Sequence, residues 1–454
     1  MQLDDIKNSS FTILGAGRSG IAIARLLKDT GADVFLSDSS PVEKLNYFDP
    51  QLLEKTGIEY ELGGHTGRVY ESDVVIKSPG IPMDSEVIVK SIKAGKKVVS
   101  EIEAAYWFCK APVIAITGTN GKTTTTVLTG EILKNAGKDA KVCGNVGLAF
   151  SQIVSEVKED SVVVLEVSSF QLETIEDFKP RVAAFLNFKE DHLDWHKTVE
   201  NYMAAKMKIT MNQDEEDLFV YNVDDEDIMR NVSTKARRAG FGLNKESVKN
   251  NCSEGCYIDN EEVVYFKNDM ESRIINTGDI FIKGMHNVYN VMASIISVKE
   301  FGVSDDIIRQ TLTEFKGVEH RIEFVKEIEG VRFYNDSKAT NVESTKMALM
   351  SFNKNIVLIL GGQGKANFDG IKDLVKERVK KVIAVGETAG IVEDYFKNIV
   401  NTKRYDSFDE SVKGAYSSAE AGDVVLLSPA HKSFDLFKNF EERGKEFKRI
   451  VNSL

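Results

Sequence analysis

Three successive α/β units built on mostly parallel sheets are what this 454-residue sequence predicts. Three observations point there. Short β-branched runs alternate with helical patterns through residues 9–110, a second such series starts at Val113 with a glycine-rich loop, and a third starts after Gly317. A chain this long exceeds what a single core usually organises, so several domains are expected. The boundaries fall at 1–110, 111–317 and 318–454.

The first unit has strands at 10–14, 33–37, 74–77 and 97–100, with helical patterns at 21–28 and 85–94. Gly15-Ala-Gly-Arg-Ser-Gly20 follows its first strand and opens its first helix, and Asp38 closes its second strand. That is the dinucleotide-binding fingerprint of a Rossmann-like fold. The physics is broader than the fingerprint, because such a turn holds any pyrophosphate at a helix N-terminus, UDP as well as NAD. Ser78-Pro-Gly80 after the third strand either lines a ligand crevice or is a structural turn.

The second unit carries Ala115-Ile-Thr-Gly-Thr-Asn-Gly-Lys-Thr-Thr124 directly after the apolar run 113–116. This is a phosphate cradle of the P-loop ATPase type, with Gly118 and Gly121 as its glycines. Backbone N–H groups of Gly118, Thr119, Asn120 and Gly121 turn toward phosphate oxygens, Lys122 adds a point charge, and Thr123, followed by Thr124, offers a hydroxyl to Mg²⁺. A nucleoside triphosphate is the expected ligand. Apolar runs at 161–167 and 182–187 read as strands buried on both faces, and Leu218–Asn222 together with 255–283 as an added strand layer.

Polar groups then interrupt apolar surroundings. Asn145 stands in Gly144-Asn-Val-Gly147, and Glu166 breaks the run 161–167. A carboxylate there is costly unless paired or bound to a cation, which points to Mg²⁺ rather than to a buried hydrogen bond alone. Asp191-His-Leu-Asp-Trp-His196 offers His192 and His196 four residues apart, a spacing that resembles a zinc pair only loosely because no general-base glutamate accompanies it. Asn201-Tyr-Met-Ala-Ala-Lys206 reads as a helix ending in a lysine, and composition assigns that lysine no role. Gly284-Met-His-Asn-Val-Tyr-Asn290 places His286, Asn287 and Asn290 at a helix start, where asparagine caps are expected anyway.

The third unit has strands at 332–335, 356–360, 381–385 and 423–428 and reads as Rossmann-like. Glu319-His-Arg-Ile-Glu323 stands just before its first strand, and three further polar segments stand at its strand ends: Asn335-Asp-Ser-Lys-Ala-Thr-Asn341, Gly361-Gly-Gln-Gly-Lys365 and Ser428-Pro-Ala-His-Lys-Ser-Phe434. Lys338, Lys365, Lys432 and Ser433 at one sheet edge suit a substrate that bears a carboxylate.

Bulk properties narrow the rest. The net charge of −12 argues against nucleic-acid binding through a broad basic surface. The chain starts with an acidic Met1-Gln-Leu-Asp-Asp and has no apolar run of membrane length, so a cytoplasmic protein without membrane contact is expected. Its 4 cysteines fit a reducing compartment, with Cys252-Ser-Glu-Gly-Cys256 read as a polar hairpin turn rather than a metal knuckle.

Taken together, these segments resemble the Mur ligase family along the whole chain. Thr117-Gly-Thr-Asn-Gly-Lys-Thr-Thr124 and the His-Asn-x-x-Asn segment at 286–290 carry the superfamily resemblance. Glu166-Val-Ser-Ser-Phe-Gln-Leu172, Asp191-His-Leu-Asp194, 335–341 and 428–440 carry that to its D-glutamate-adding branch. The resemblance implies an ATP-dependent amide-forming ligase of cytoplasmic peptidoglycan precursor synthesis, a monomer that joins D-glutamate to UDP-N-acetylmuramoyl-L-alanine. It implies one Mg²⁺ on Thr123, Asn145 and Glu166, and a second on His192 and an N-carbamylated Lys206. Lys122 would meet the transferred phosphoryl group, and Asn290, Arg321 and Asp336 the nucleotide. Arg18, Ser19, Asp38, Ser39, Gly80 and Asn145 fall on the UDP-substrate side, and Lys338, Thr340, Lys365, Ser433 and Phe440 on the D-glutamate side.

Overall fold

A computed structural model describes residues 1–454 apart from Asn46, Tyr47, Val146, Lys365 and Ala366. The chain divides into two compact units, Met1–Asp279 with Tyr289–Thr313, and Ile280–Val288 with Glu314–Leu454.

The first unit contains two sheets. One has five strands in the order Glu59–Leu62, Asp33–Asp38, Ser10–Leu14, Val74–Lys77, Lys97–Ser100, all parallel. The strand order reverses at Ser10–Leu14, and the glycine turn follows that strand. Gly15 has φ 98°, and a Cβ there would lie 2.6 Å from Ser78 Oγ. A Cβ on Gly20 would lie 1.8 Å from the Gly15 carbonyl oxygen, so both positions demand glycine for close packing of turn, helix and neighbouring strand.

The other sheet has nine strands in the order Met270–Asn276, Glu262–Lys267, Glu254–Asp259, Arg237–Phe241, Leu218–Asn222, Val182–Phe185, Val113–Thr117, Val162–Glu166, Ala140–Gly144. All neighbouring strands pair in parallel except at one edge, where Glu262–Lys267 runs antiparallel to both Glu254–Asp259 and Met270–Asn276. Leu218–Asn222 and the strands within 254–276 therefore belong to this one sheet instead of forming a separate layer. Cys252 closes the helix Lys245–Asn251 and Cys256 lies inside the strand Glu254–Asp259, both buried, so the segment between them is a helix-to-strand junction and not a hairpin turn. The hairpin turn lies at Asn260-Glu261, where both residues are left-handed (φ 48° and 65°) as a two-residue turn of this type requires.

The two sheets share buried contacts. Glu103 is fully buried, and its carboxylate accepts hydrogen bonds from the Trp107 indole and from the backbone N–H groups of Glu176, Asp177 and Phe178, all at 2.9–3.0 Å. Every acceptor position is used.

The second unit has six strands in the order Glu323–Ile328, Val331–Asn335, Val424–Leu427, Ile356–Leu360, Val379–Ala384, Asn401–Arg404, antiparallel only in the first pair. Apolar clusters cover both faces of this sheet, one on helices Asp369–Arg378 and Ala389–Phe396, the other on Phe408–Tyr416 and Phe440–Ser453. Among the described residues, no helix is long and apolar enough to cross a membrane.

Candidate active site

The phosphate loop runs from the strand Val113–Thr117 to the helix Lys122–Asn135. Gly118 and Gly121 take φ 153° and 81°, and a Cβ on Gly121 would meet Asn290 Oδ1 at 2.3 Å. Asn290 thus packs on the loop itself, which the His-Asn-x-x-Asn spacing could not reveal. The backbone N–H of Asn120 donates to Asn187 Oδ1 at 2.8 Å, and Asn187 Nδ2 donates back to the Asn120 carbonyl at 3.0 Å. This reciprocal clamp holds the loop open and was not foreseen, because Asn187 reads in sequence as the end of a strand.

Lys122 Nζ donates to the carbonyls of Gly118 and Thr119 at 2.9 and 2.8 Å. Lys206 Nζ donates to the same Gly118 carbonyl at 2.9 Å from the helix Val199–Met207. Two amines on one oxygen are a like-charge conflict. Lys206 is 1 % exposed, and burial, with the Lys122 charge second, holds its ammonium well below the usual lysine range, with Asp191 and Glu166 opposing. Its proton is therefore held less tightly than that of a solvated lysine.

Glu166 ends the strand Val162–Glu166 and is 2 % exposed. Its Oε1 accepts from Asn145 Nδ2 at 2.9 Å, and its backbone carbonyl accepts from Asn145 N at 2.9 Å. Gly144 makes that approach feasible, since a Cβ there would lie 2.3 Å from the Glu166 carbonyl oxygen. Glu166 Oε2 is buried and has no hydrogen-bond partner. A buried carboxylate oxygen left without a donor is what a hard cation would use, so the site passes as a Mg²⁺ ligand position. Thr123 stands in the first turn of the loop helix. Among the described residues, no group of three or more His, Cys, Asp or Glu is arranged to hold a metal ion; Mg²⁺ commonly takes one or two carboxylates plus substrate phosphates instead.

His192 and His196 differ in setting. The helix between them is one turn, Leu193–His196, and His192 sits at its start with left-handed φ 53°. Its ring is half exposed beside Asp191, whereas His196 is buried. His196 Nε2 meets Ser169 Oγ at 2.9 Å and Nδ1 lies 3.3 Å from Glu173 Oε1. Burial, and then the His192 and Lys206 charges, push the His196 ring down to about 4, so it is neutral at neutral pH. Both rings pack against Phe170 and Tyr202, but His192 is half exposed and His196 is buried on Ser169 and Glu173.

In the five-stranded sheet, Asp38 Oδ2 accepts from Ala16 N and Oδ1 from Ser40 N, both at 2.7 Å. The carboxylate closes the turns that carry Arg18, Ser19 and Ser39. Arg18 opens the helix Arg18–Asp29, and Gly80 is exposed with open space at its Cβ position.

The second unit gathers another set. Asp336 is buried, accepts from Ser428 Oγ at 2.7 Å and from Ile322 N at 3.2 Å, and burial raises it to about 7 despite the hydrogen bonds and the nearby Arg321. Arg321 lies between His320 and Ile322, both left-handed (φ 65° and 45°). A β-branched residue in that region is strained, which marks this turn as one held by its surroundings. Lys338 Nζ stands 5.8 Å from the centre of the Phe440 ring. Ser337 Oγ donates to the Phe440 carbonyl, and the buried Arg443 donates to Ser337 Oγ, to its carbonyl and to that of His431. Arg443 gave no sequence signal. Thr340 follows in the same turn, its N–H donating to the Lys338 carbonyl. Ser433 is buried next to Lys432, whose carbonyl accepts from Gln363 N at 2.8 Å. Lys365 lies outside the described residues.

Comparisons with known proteins agree along the chain. The MurD N-terminal domain model matches residues 10–87, the Mur ligase middle domain 116–298, and the Mur ligase glutamate ligase domain 320–431. A UDP-N-acetylmuramoylalanine–D-glutamate ligase of Salinibacter ruber is 41 % identical, covering 100 % of both chains, and one of Clostridioides difficile is 39 % identical over 99 % of this chain and 100 % of its own. Among solved structures, the UDP-N-acetylmuramate-alanine ligase of Thermotoga maritima superposes with a TM-score of 0.59 at 21 % identity, covering 98 % of this chain and 99 % of that one. With full-length identity near two-fifths and all three domain models in sequence order, this chain belongs to the Mur ligase family, in the branch of the UDP-N-acetylmuramoylalanine–D-glutamate ligases.

Proposed function

We propose that the chain is an ATP-dependent ligase that adds D-glutamate to UDP-N-acetylmuramoyl-L-alanine in peptidoglycan precursor synthesis, through an acyl phosphate. The observation that carries this reading is the convergence at the phosphate loop: Lys122 and Lys206 on one carbonyl, with the buried, unpartnered Glu166 Oε2 at the end of the neighbouring strand, where Glu166 pairs with Ile116. Glu166, Asn145 and Thr123 hold one Mg²⁺, and His192 and Lys206 serve a second. Bound Mg²⁺ supplies charge compensation for the phosphates. Once deprotonated, which burial favours, the Lys206 amine adds to CO₂ and loses a second proton to solvent, giving a carbamate whose oxygens are hard ligands.

Gly118 to Thr124 cradle the triphosphate and Lys122 follows the charge on the transferred group, with Asn290, Arg321 and Asp336 as nucleotide contacts. The alanine carboxylate attacks the γ-phosphorus and ADP leaves; the amine of D-glutamate then attacks the acyl carbon and phosphate leaves. Arg18, Ser19, Asp38, Ser39, Gly80 and Asn145 bind the UDP-substrate. Lys338, Thr340, Lys365, Ser433 and Phe440 bind D-glutamate. Domain limits at 110/111 and 317/318, a monomeric state and a cytoplasmic location belong to the same reading.

Phosphate release from ATP across a panel of UDP-muramoyl acceptors and D- or L-amino acids tests it. Release that requires both UDP-N-acetylmuramoyl-L-alanine and D-glutamate is expected. Release indifferent to the acceptor, or a preference for another amino acid, overturns it.

A further inference from the structure

A buried polar chain, separate from the ligands named above, joins the two sheets of the first unit. Lys77 ends the strand Val74–Lys77, immediately before Ser78-Pro79-Gly80. Its side chain is fully buried, and Nζ donates to the Ile81 carbonyl at 3.0 Å, which closes the turn containing Gly80. The same Nζ stands 3.7 Å from Glu173 Oε2 and 5.6 Å from the centre of the Trp195 ring. Glu173 Oε1 accepts from Trp195 Nε1 at 2.9 Å and faces His196 Nδ1 at 3.3 Å. His196 Nε2 in turn meets Ser169 Oγ, and its ring stacks on Phe170 at 5.4 Å with an interplanar angle of 3°.

Ser169, His196 and Glu173 have the connectivity of a hydrolase triad, but Ser169 is 1 % exposed and no nucleophile can act from there. The chain is a strut. Its two ends are the turn proposed to hold the UDP part of the substrate and the turn that carries His192 beside the phosphate loop. A buried ammonium and carboxylate are costly to bring together, and removing one leaves the other uncompensated, so such a pair fixes geometry more than it adds stability.

We propose that Glu173 is a positioning residue for ligation: by holding Lys77 on one oxygen and Trp195 with His196 on the other, it sets the distance between the Ser78-Pro79-Gly80 turn and the His192 turn. The proposal rests on the ligase reading. A substrate anchored at its uridine diphosphate end then presents its carboxylate at one place over the phosphate loop, and a misplacement of about 1 Å costs on the order of 10²-fold in rate.

The test uses the full-length enzyme and the variants Glu173→Gln, Glu173→Ala and Lys77→Met, with melting temperature, kcat and KM for each substrate as readouts. Ligation by the unaltered enzyme is measured first, and its absence would refute the ligase reading independently of the strut. Given an active enzyme, folded Glu173→Ala should lose about 10²-fold in kcat/KM for the UDP-substrate while KM for ATP stays within about twofold. Glu173→Gln keeps an acceptor for Trp195 and His196 and should recover about tenfold of that loss; Lys77→Met should resemble it. The double variant Lys77→Met/Glu173→Gln, which leaves no lone buried charge, should be more active than Lys77→Met alone. Folded variants with unchanged kinetics, or losses that follow only the folded fraction, overturn the proposal. If Glu173→Ala does not fold, Glu173→Gln and Lys77→Met decide on the same criteria.

Discussion

Glu103 and Glu166 are carboxylates buried to nearly the same degree in the same unit, at 0 % and 2 % exposure, and their surroundings are opposite. Glu103 receives four hydrogen bonds, three of them from consecutive backbone N–H groups. Glu166 receives one on its side chain and keeps an oxygen without a donor. The first is glue between two sheets, and the second keeps acceptor capacity that the proposed cation would use. Burial alone does not separate the two acids; the count of donors around each does.

The contrast can be broken first at Glu103. Glu103→Ala strands four donors, that of Phe178 buried and the other three partly so, and should cost about 3–5 kcal/mol of unfolding free energy. Denaturant melts check this, and activity per folded molecule should be unchanged. Lys122→Ala should do the reverse, with turnover falling about 10²–10³-fold while the melt hardly moves. Near-normal phosphate release by that variant would remove the phosphate loop from the reaction. Glu166→Gln keeps the shape and the Asn145 contact but weakens the cation site, so the Mg²⁺ concentration for half-maximal activity should rise by at least about 10-fold, with the stability unchanged or raised.

Asp336 sharpens the contrast in the second unit, since it too is buried but is raised to about 7. Its folded-state value lies above its unfolded one, so the native state holds a proton that the unfolded state lacks between about pH 4 and about pH 7. The stability contribution of this group therefore falls as pH rises through that window. Asp336→Asn, which mimics the protonated acid, should flatten that part of the stability profile, as melts across the range would show. The smallest effect belongs to Gly17. A Cβ there meets nothing within 4 Å and its φ is not left-handed, so Gly17→Ala should stay within about 0.5 kcal/mol, whereas Gly20→Ala must displace the Gly15 backbone.

What was legible in the sequence follows from how local each signal is. The two glycine turns are written within a few residues, and Glu166 stands out because an acid interrupts an apolar run. Parallel strands buried on both faces gave the three sheets for the same reason. Lys77, Glu173, Asn187 and Arg443 were not legible, because each gains its meaning from a partner far along the chain. Lys206 looks like a solvated helix lysine until folding places it on the Gly118 carbonyl. The His192 and His196 spacing resembled a zinc pair only loosely, and the different burial of the two rings was not legible in it. The strands after 254 read as a layer of their own because alternation specifies a strand but not which edge it joins.

The proposed division of labour between the two glycine turns, one for a diphosphate and the other for attack on a triphosphate, is tested most directly by isotope transfer. UDP-N-acetylmuramoyl-L-alanine is labelled with a heavy oxygen isotope in its alanine carboxylate and turned over with ATP, Mg²⁺ and D-glutamate. An acyl phosphate requires one labelled oxygen to leave with each inorganic phosphate, and mass spectrometry of the phosphate should find it there. Unlabelled phosphate released in step with amide formation would contradict attack by the carboxylate on the γ-phosphorus.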